Sequence, residues 1–305
     1  MKKQTFISTL LLFFMIQIAG AQQNRFDPPW NKPPTSGVNF TIKGIDNVPD
    51  IHGDITDPQL VVFMGGNQFM VVDDLLAAFK KEYPQYERIL VETLPPGLLM
   101  QQIKTGSLVI GNMRLSYKPD IYTAGKKGVA ANAGLFEKVV AYSANKLALM
   151  VAKGNPKNIK GLQDLKAKNI RISMPDKKIE GIGESIEETY KKAGGDGLYH
   201  AIMVDKVKDG STFITQIHHR QSPMRILYKQ SDVAPVWETE IDYQKSIGHP
   251  VDKVAIADAF NKVSITEAGI LKEAPHKEAA QHFLNFLVSK EAQSIFKKFG
   301  FSIPL

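Results

Sequence analysis

A strand, a loop of small residues and a helix follow one another twice near the front of the chain, and this repeat constrains the fold most strongly. Residues 60–64 form an apolar, strand-like run that ends at Gly65-Gly66-Asn67, and a helix-periodic segment follows. Residues 89–91 begin a second unit, whose loop Pro95-Pro96-Gly97 opens another helix. Helix starts present free backbone N–H groups, so two neighbouring starts favour an anionic or oxygen-rich ligand.

Strands and helices alternate along most of the remaining chain, which predicts an α/β fold with largely parallel pairing. We expect strands at residues 60–64, 88–92, 120–123, 138–143, 146–152, 170–174, 232–236 and 264–271. We expect helices at residues 69–82, 97–105, 126–134, 161–168, 182–193, 212–220, 238–246, 276–288 and 290–298.

The first 21 residues have the composition of a cleavable signal peptide. Lys2-Lys3 precede an apolar segment at residues 6–18, and Ala19-Gly20-Ala21 is a small-residue cleavage site. The apolar segment is short for a membrane span, and no cysteine follows the cleavage site to carry a lipid. We therefore predict an exported, periplasmic protein that begins at Gln22 and is not lipid-anchored.

Composition excludes several classes of protein and site. The chain has 0 Cys, which excludes disulfides, thiolate metal sites and cysteine nucleophiles. The formal net charge of +7 comes from scattered Lys residues without an arginine-rich run, so we expect no nucleic-acid partner and a mild preference for anions. Residues 22–57 are rich in proline and have few apolar runs, which predicts an extended arm on the surface.

Several later stretches together resemble a known family. They are residues 147–156 (LALMVAKGNP), 159–165 (IKGLQDL), 170–176 (IRISMPD), 231–237 (SDVAPVW), 275–280, 283–287, 289–293 and 299–301. They resemble the second lobe and closing helices of exported solute-binding proteins of ABC importers. The nearest branch is the molybdate/tungstate type of class II periplasmic binding proteins, and the resemblance covers about residues 60 to 301.

This resemblance implies a two-lobed α/β fold of the periplasmic-binding-protein type II class, with a mainly parallel sheet flanked by helices in each lobe and a hinge between them. Lobe I would comprise residues 58–143 plus 264–305, and lobe II residues 144–263. The protein would be a monomer without a cofactor. It would capture a small solute or oxyanion between the lobes and deliver it to an inner-membrane ABC permease.

The loops after the first two strands depart from the molybdate-type pattern. Binders of that type resemble one another in that these two loops carry hydroxyl side chains. The corresponding loops of this chain are Gly65-Gly66-Asn67 and Leu94-Pro95-Pro96-Gly97. Two hydroxyl donors to a tetrahedral oxyanion are therefore missing. The sequence predicts an anionic or oxygen-rich solute but does not identify it.

Small residues at three helix starts are the first candidate ligand contacts. They are Gly66 and Asn67 after the first strand, Pro96 and Gly97 after the second, and Gly181 at the start of a lobe II helix. Each also has a structural interpretation, because glycine allows tight turns and proline readily begins a helix.

A polar cluster and an aromatic residue complete the candidate site. Arg220 offers a fork of donors for an anion, and the neighbouring His218 and His219 can donate hydrogen bonds. Adjacent residues on a helix point about 100° apart, so the two histidines do not readily share a metal. Trp237 would form an aromatic wall of the cleft. A salt bridge at a helix end and a core tryptophan are the structural alternatives.

No common catalytic motif is present, so we predict no catalytic residues and no enzyme activity. Two alternatives remain open at this stage. One is an exported hydrolase or metal-dependent enzyme that uses His218, His219 and Glu238. The other is a sensor or accessory module that uses the same binding fold without taking part in transport.

Overall fold

A computed structural model describes residues 50–110, 113–216, 218 and 220–304. The predicted signal peptide and residues 22–49 of the predicted arm lie outside the described residues, and so does His219. Within the described ranges, no helix has the length and apolarity needed to cross a membrane.

Short strands alternate with helices along the chain. The strands are β1 (Ile51–Gly53), β2 (Leu60–Phe63), β3 (Ile89–Glu92), β4 (Leu108–Ile110), β5 (Met113–Leu115), β6 (Ile121–Gly125), β7 (Phe136–Asn145), β8 (Leu147–Ala152), β9 (Ile172–Met174), β10 (Thr212–Ile214), β11 (Val233–Trp237), β12 (Val251–Ala255) and β13 (Ser264–Leu271). The α-helices are α1 (Val72–Glu82), α2 (Pro96–Thr105), α3 (Lys126–Ala130), α4 (Gly181–His200), α5 (Lys206–Lys208), α6 (Gln221–Leu227), α7 (Glu238–Ser246), α8 (Lys277–Leu287) and α9 (Lys290–Lys298). Short 3-10 or π segments lie at Gly66–Val71, Ala133–Leu135, Leu162–Lys166 and Ala201–Asp205.

Two mixed sheets organise the described residues into two lobes. The sheet of lobe I has the order β1-β3-β2-β6-β13-β7, and the sheet of lobe II has the order β10-β9-β11-β8-β12. Parallel pairing joins β3, β2 and β6 in the first sheet and β10, β9 and β11 in the second. The other pairings in both sheets are antiparallel. The prediction of mainly parallel sheets is therefore wrong in this detail, because the returning strands β13, β8 and β12 pair in the opposite direction.

Apolar periodicity explains how the helices pack in lobe I. Helix α1 buries Val72, Leu75, Leu76 and Phe79 on one face, as a helix of period 3.6 does. The Phe79 ring meets Phe283 of α8 edge to face at 5.0 Å. Strands β2 and β3 are buried at every position, which explains the apolar runs at residues 60–63 and 89–91.

The chain passes between the lobes twice. It leaves lobe I at Lys146, between β7 and β8, and returns through residues 256–263 into β13. A hydrogen bond from Asn145 Nδ2 to Thr239 Oγ1 (2.8 Å) ties the first crossing to α7. Strand β1 of the lobe I sheet lies within the stretch predicted as a surface arm, so residues 51–53 of that stretch belong to the sheet instead. Strand β7 extends to Asn145, and the predicted boundaries at residues 143/144 and 263/264 stay a prediction.

The predicted helix at residues 212–220 is wrong. Thr212–Ile214 instead form β10, which pairs in parallel with β9, and the next helix begins at Gln221. The run Thr-Phe-Ile has high strand propensity and fits the open edge of the lobe II sheet, so sheet pairing prevails over the helical pattern. His218 and Arg220 therefore lie in a loop before α6 rather than at the end of a helix.

Candidate functional site

A cleft of about 480 Å³ opens between the two sheets. Loops that follow β2, β3 and β6 form its lobe I side, and residues that follow β9, together with Trp237 at the end of β11, form its lobe II side. In open α/β sheets, ligands bind beyond the carboxyl ends of the strands, and both sheets direct those ends at this cleft. The lining includes Gly65–Asn67, Pro96, Ala124–Gly128, Asn145, Glu180–Ile182, Glu184, Ser185, Trp237 and residues 262–266.

Five of the residues predicted from the sequence line this cleft together. They are Gly66, Asn67, Pro96, Gly181 and Trp237. Trp237 is the last residue of β11 and is about 8% exposed, so it combines a wall position with packing against the lobe II core. The loop that carries Gly66 is held by a hydrogen bond from Gly65 N–H to Thr123 Oγ1 (2.8 Å).

Gly97 lies where the backbones of the two lobes contact each other. Its N–H donates a hydrogen bond to Ile179 O (3.2 Å) in lobe II. A Cβ added at Gly97 would lie 2.7 Å from that oxygen and 3.1 Å from Ile179 Cα. Glycine is therefore required here by contact between the lobes, and its N–H is already engaged by protein.

Arg220 is buried in the contact between the lobes and does not line the cleft. Its guanidinium pairs with the Asp50 carboxylate and donates to Thr93 O (3.2 Å), while it lies over the Phe69 ring at 5.0 Å. These three partners belong to lobe I. Arg220 thus directs its fork of donors at an internal carboxylate and a backbone oxygen, and its predicted contact with solute against Trp237 stays a prediction.

Asp50 was not identified by the sequence analysis. It immediately precedes β1, and its backbone O accepts a hydrogen bond from Thr93 N–H (2.8 Å), which fixes it beside the end of β3. Asp50 and Arg220 are 170 residues apart in the chain, and no local pattern connects them. Asp50 belongs to the proline-rich stretch at residues 22–57, whose sequence gave no signal for a buried acid.

His218 lies against both Arg220 and the loop of lobe I. Arg220 Nε lies 3.1 Å from His218 Nε2, and a Cβ at Gly66 would collide with that imidazole. His218 Nδ1 lies 3.1 Å from Arg220 N and 3.6 Å from Glu180 Oε1. A guanidinium only donates, so His218 Nε2 accepts from Arg220 Nε, while Nδ1 faces both the Arg220 N–H and the Glu180 carboxylate.

Ion pairs connect the lobes at the mouth of the cleft. Lys127 of α3 binds Glu184 (3.0 Å) and Glu188 (2.8 Å) of α4, and Lys262 also binds Glu188 (2.8 Å). Hydrogen bonds from Lys127 and Lys262 lower the pKa of Glu188 to about 2. The same contacts with Glu188 and Glu184 raise the pKa of Lys127. The position of Lys126 and Lys127 directly after β6 is a sequence signal that could have identified this side of the cleft.

Glu238 forms ion pairs with lysines, whereas the metal-dependent enzyme alternative groups it with His218 and His219. It binds Lys253 (2.9 Å) and lies 3.4 Å from Lys146. Among the described residues, no group of three or more His, Cys, Asp or Glu side chains could hold a metal ion. His219, the remaining member of the proposed set, lies outside the described residues.

Comparisons with known proteins agree with this architecture. The sequence profile of a family described as bacterial extracellular solute-binding protein matches residues 60–302. A search of curated proteins found no match.

Solved structures with similar folds include three periplasmic binding proteins or related binders. The periplasmic molybdate-binding protein of Azotobacter vinelandii is 18% identical with a TM-score of 0.66, covering 81% of this chain and 100% of that protein. The sulfate-binding protein SubI of Mycobacterium tuberculosis is 19% identical with a TM-score of 0.61, covering 79% and 85%. AfuA of Actinobacillus pleuropneumoniae, with bound fructose-6-phosphate, is 16% identical with a TM-score of 0.62, covering 79% and 82%. At these identities the likeness shows the fold alone.

Proposed function

Because the chain belongs to the bacterial extracellular solute-binding protein family, we propose that it captures a small anionic or oxygen-rich solute between its lobes and delivers it to an inner-membrane ABC permease. In this proposal the protein is exported to the periplasm through a cleavable signal peptide and acts as a monomer. It binds and releases the solute without chemical change.

The observation that carries this proposal is the cleft at the carboxyl ends of both sheets. Strand ends and helix starts from the two lobes converge on one space, which is the arrangement expected for a binder that closes around its ligand. Lys126, Lys127 and Lys262 line this space and give it cationic groups on two sides. Glu180 and Glu184 line it as well, so the cationic character is partial.

The solutes of proteins with a similar fold support an anion as the ligand. The three structures described above are titled as a molybdate binder, a sulfate binder and a protein with fructose-6-phosphate. All three solutes are anions with several oxygen atoms. The missing loop hydroxyls of this chain argue against simple transfer of the molybdate site, so a range of anions is the appropriate test set.

A thermal-shift screen of the chain from Gln22 onward tests the proposal. The screen contains tetrahedral oxyanions, small carboxylates, phosphorylated sugars and neutral sugars. A ligand at a hundredfold excess over its Kd stabilises the folded state by about 2.7 kcal/mol, which raises the melting temperature measurably. We expect stabilisation by at least one anion and none by neutral sugars.

Two outcomes would contradict the proposal. Turnover of ester or phosphate substrates, with no stabilisation by any anion, would favour the enzyme alternative. Anion binding without uptake in cells that carry the cognate permease would favour a sensor or accessory role.

A further inference from the structure

We propose that the anionic group of the solute binds on one side of the cleft, between the ammonium of Lys126 after β6 and the hydroxyl groups of Ser264 and Thr266 on β13. This inference rests on the proposed function and names the side chains that hold the oxyanion group of the solute, whether phosphate, sulfate or carboxylate. Three observations support it: the contacts of the polar side chains in the cleft, the pairing of β6 with β13, and the few donors left on the loops after β2 and β3.

Several polar side chains that line the cleft are already bound to other parts of the protein. They are Lys127, Lys262, Glu184, Asn145 and Ser185. Lys126, Ser264 and Thr266 line the same cleft, and their side chains have no ion-pair or hydrogen-bond partner among the residues that the structure describes. The amide of Asn67, on the neighbouring β2 loop, has none there either. These groups are therefore available to a solute.

The pairing of β6 with β13 brings the lysine and the two hydroxyls to one place. Thr266 pairs with Gly125 in the antiparallel ladder, and Lys126 follows Gly125 directly. A Cβ added at Gly125 would lie 3.9 Å from Ser264 Oγ, so this hydroxyl lies beside the residue that precedes Lys126. Ser264 and Thr266 are two positions apart on one strand and therefore share a face. One cation and two hydroxyls thus meet at the carboxyl end of β6.

The loops after β2 and β3 offer fewer donors to an anion. The Gly65 N–H donates to Thr123 Oγ1 (2.8 Å), and the Gly97 N–H donates to Ile179 O (3.2 Å). Pro95 and Pro96 have no N–H at all. Backbone groups of these two loops are therefore largely absent or engaged, which favours the side chains near β6 and β13 as the donors.

The free ammonium of Lys126 differs from the other two lysines of the cleft. Lys127 and Lys262 both bind the Glu188 carboxylate at 2.8 Å, so their charge is opposed within the protein. An ammonium offers three donors and each hydroxyl one, which suits the several oxygen atoms of an oxyanion. Hydrogen bonds from a charged donor to an anionic oxygen are about twice as strong as neutral ones, so Lys126 should contribute most.

Isothermal titration calorimetry of the wild type and its variants tests this inference. The probes are sulfate, molybdate, inorganic phosphate, citrate and fructose 6-phosphate, so the anion that binds most tightly also identifies the kind of oxyanion group. With that anion, Lys126→Met should bind about tenfold to hundredfold more weakly, and Lys126→Arg should keep most of the affinity. Ser264→Ala and Thr266→Val should each bind about three- to tenfold more weakly.

Two matched controls lie in the same cleft. Lys127→Met removes an equal charge from the adjacent position but breaks exposed ion pairs, so affinity should fall by about fivefold at most. Ser185→Ala should have a smaller effect than Ser264→Ala, because the only hydroxyl hydrogen of Ser185 is donated to Gly181 O (3.2 Å). Without an anion, Lys126→Met should melt at the temperature of the wild type, because its exposed side chain binds none of the described residues.

The outcomes separate this inference from the proposed function. An affinity of Lys126→Met within about twofold of the wild type would overturn the inference and leave the proposed function intact, since the wild type would still bind an anion. A larger loss in Lys127→Met than in Lys126→Met would do the same. Failure of every anion to bind the wild type would instead contradict the proposed function itself.

Discussion

Ion pairs join the two lobes in two places with opposite environments: the buried contact of Asp50 with Arg220 between the lobes, called the floor below, and the exposed mouth of the cleft. At the floor, Arg220 and Asp50 are almost completely buried, with Phe69 and Thr93 around the guanidinium. At the mouth, Lys127, Glu184 and Glu188 keep much of their side-chain surface in contact with water.

The difference lies in what opening the cleft would cost at each place. Separating a buried pair leaves a charge that must be solvated again or stay uncompensated, whereas exposed pairs exchange their partner for water at little cost. We infer that the floor determines how the lobes fit together and that the mouth adjusts the closed arrangement slightly. The three predictions below test this ranking.

The largest expected effect belongs to Arg220→Met. Loss of the guanidinium leaves the Asp50 carboxylate buried without its counter-ion, and removing one member of a buried pair costs about 3–5 kcal/mol. Urea unfolding should show this loss in the free energy of unfolding. Combined with Asp50→Asn, the loss should be clearly smaller than the sum of the two single losses.

This prediction also separates the two interpretations of Arg220. If Arg220→Met unfolds as the wild type does but loses solute affinity, then Arg220 contacts the solute as the sequence hypothesis proposed. A loss of stability with little direct effect on solute selectivity would support its role in joining the lobes.

An intermediate effect is expected from Gly97→Ala. The added methyl would contact the Ile179 backbone across the lobes, and overpacking of this kind costs about 1–3 kcal/mol. Because the clash exists only when the lobes meet, it should weaken solute binding by about five- to hundredfold. Calorimetry measures the affinity, and small-angle scattering of the liganded protein measures whether the lobes close.

Gly197→Ala is the control for this variant. Gly197 is also helical, and a Cβ there would meet no atom within 4 Å. It should leave affinity unchanged. Equal affinities of Gly97→Ala and wild type would show that the lobes do not approach at Gly97 in the bound protein.

The smallest effect is expected from Glu188→Gln at the mouth. Exposed ion pairs contribute about 1 kcal/mol or less, so affinity should fall by about fivefold at most and the difference should shrink in high salt. Glu137→Gln, which breaks an exposed pair with Lys277 within lobe I, is the matched control and should not affect affinity.

The pH dependence of this contribution has a definite sign. The folded protein lowers the pKa of Glu188 to about 2 from an ordinary value of 4.5. The stabilisation is therefore present above about pH 4.5 and is lost as the pH falls toward 2. If Glu188→Gln lowered the free energy of unfolding as much as Arg220→Met does, the ranking of floor above mouth would be contradicted.

Local patterns predicted much of the fold. The eight expected strands all occur in the structure, as do most of the expected helices. The strands that local patterns missed are β1, β4, β5, β10 and β12, which have three to five residues each. Such short runs give a weak periodic signal, and β1, β10 and β12 pair with strands distant in the chain, namely β3, β9 and β8.

The residues of the candidate site also divide into those that local patterns predicted and those whose contacts depend on distant parts of the chain. Local patterns predicted Gly66, Asn67, Pro96, Gly181 and Trp237, because each lies at or beyond the carboxyl end of a strand and those ends meet at one cleft. Gly97, His218 and Arg220 were also marked by their residue types, but the structure engages them between the lobes. Residue type indicated that these positions make specific contacts, but it did not indicate which partner each one contacts.

The sequence by itself determined the alternation of strands and helices, the family resemblance and the loops that reach the cleft, because these depend on residues close together in the chain. The tertiary structure alone decided that Asp50 meets Arg220, that Gly97 touches Ile179 and that Glu180 lies buried in the wall of the cleft. Burial and charge pairing depend on which distant segments are brought into contact. A guanidinium has the same chemistry beside an internal carboxylate as beside a bound anion, and only the folded chain determines which of the two it meets.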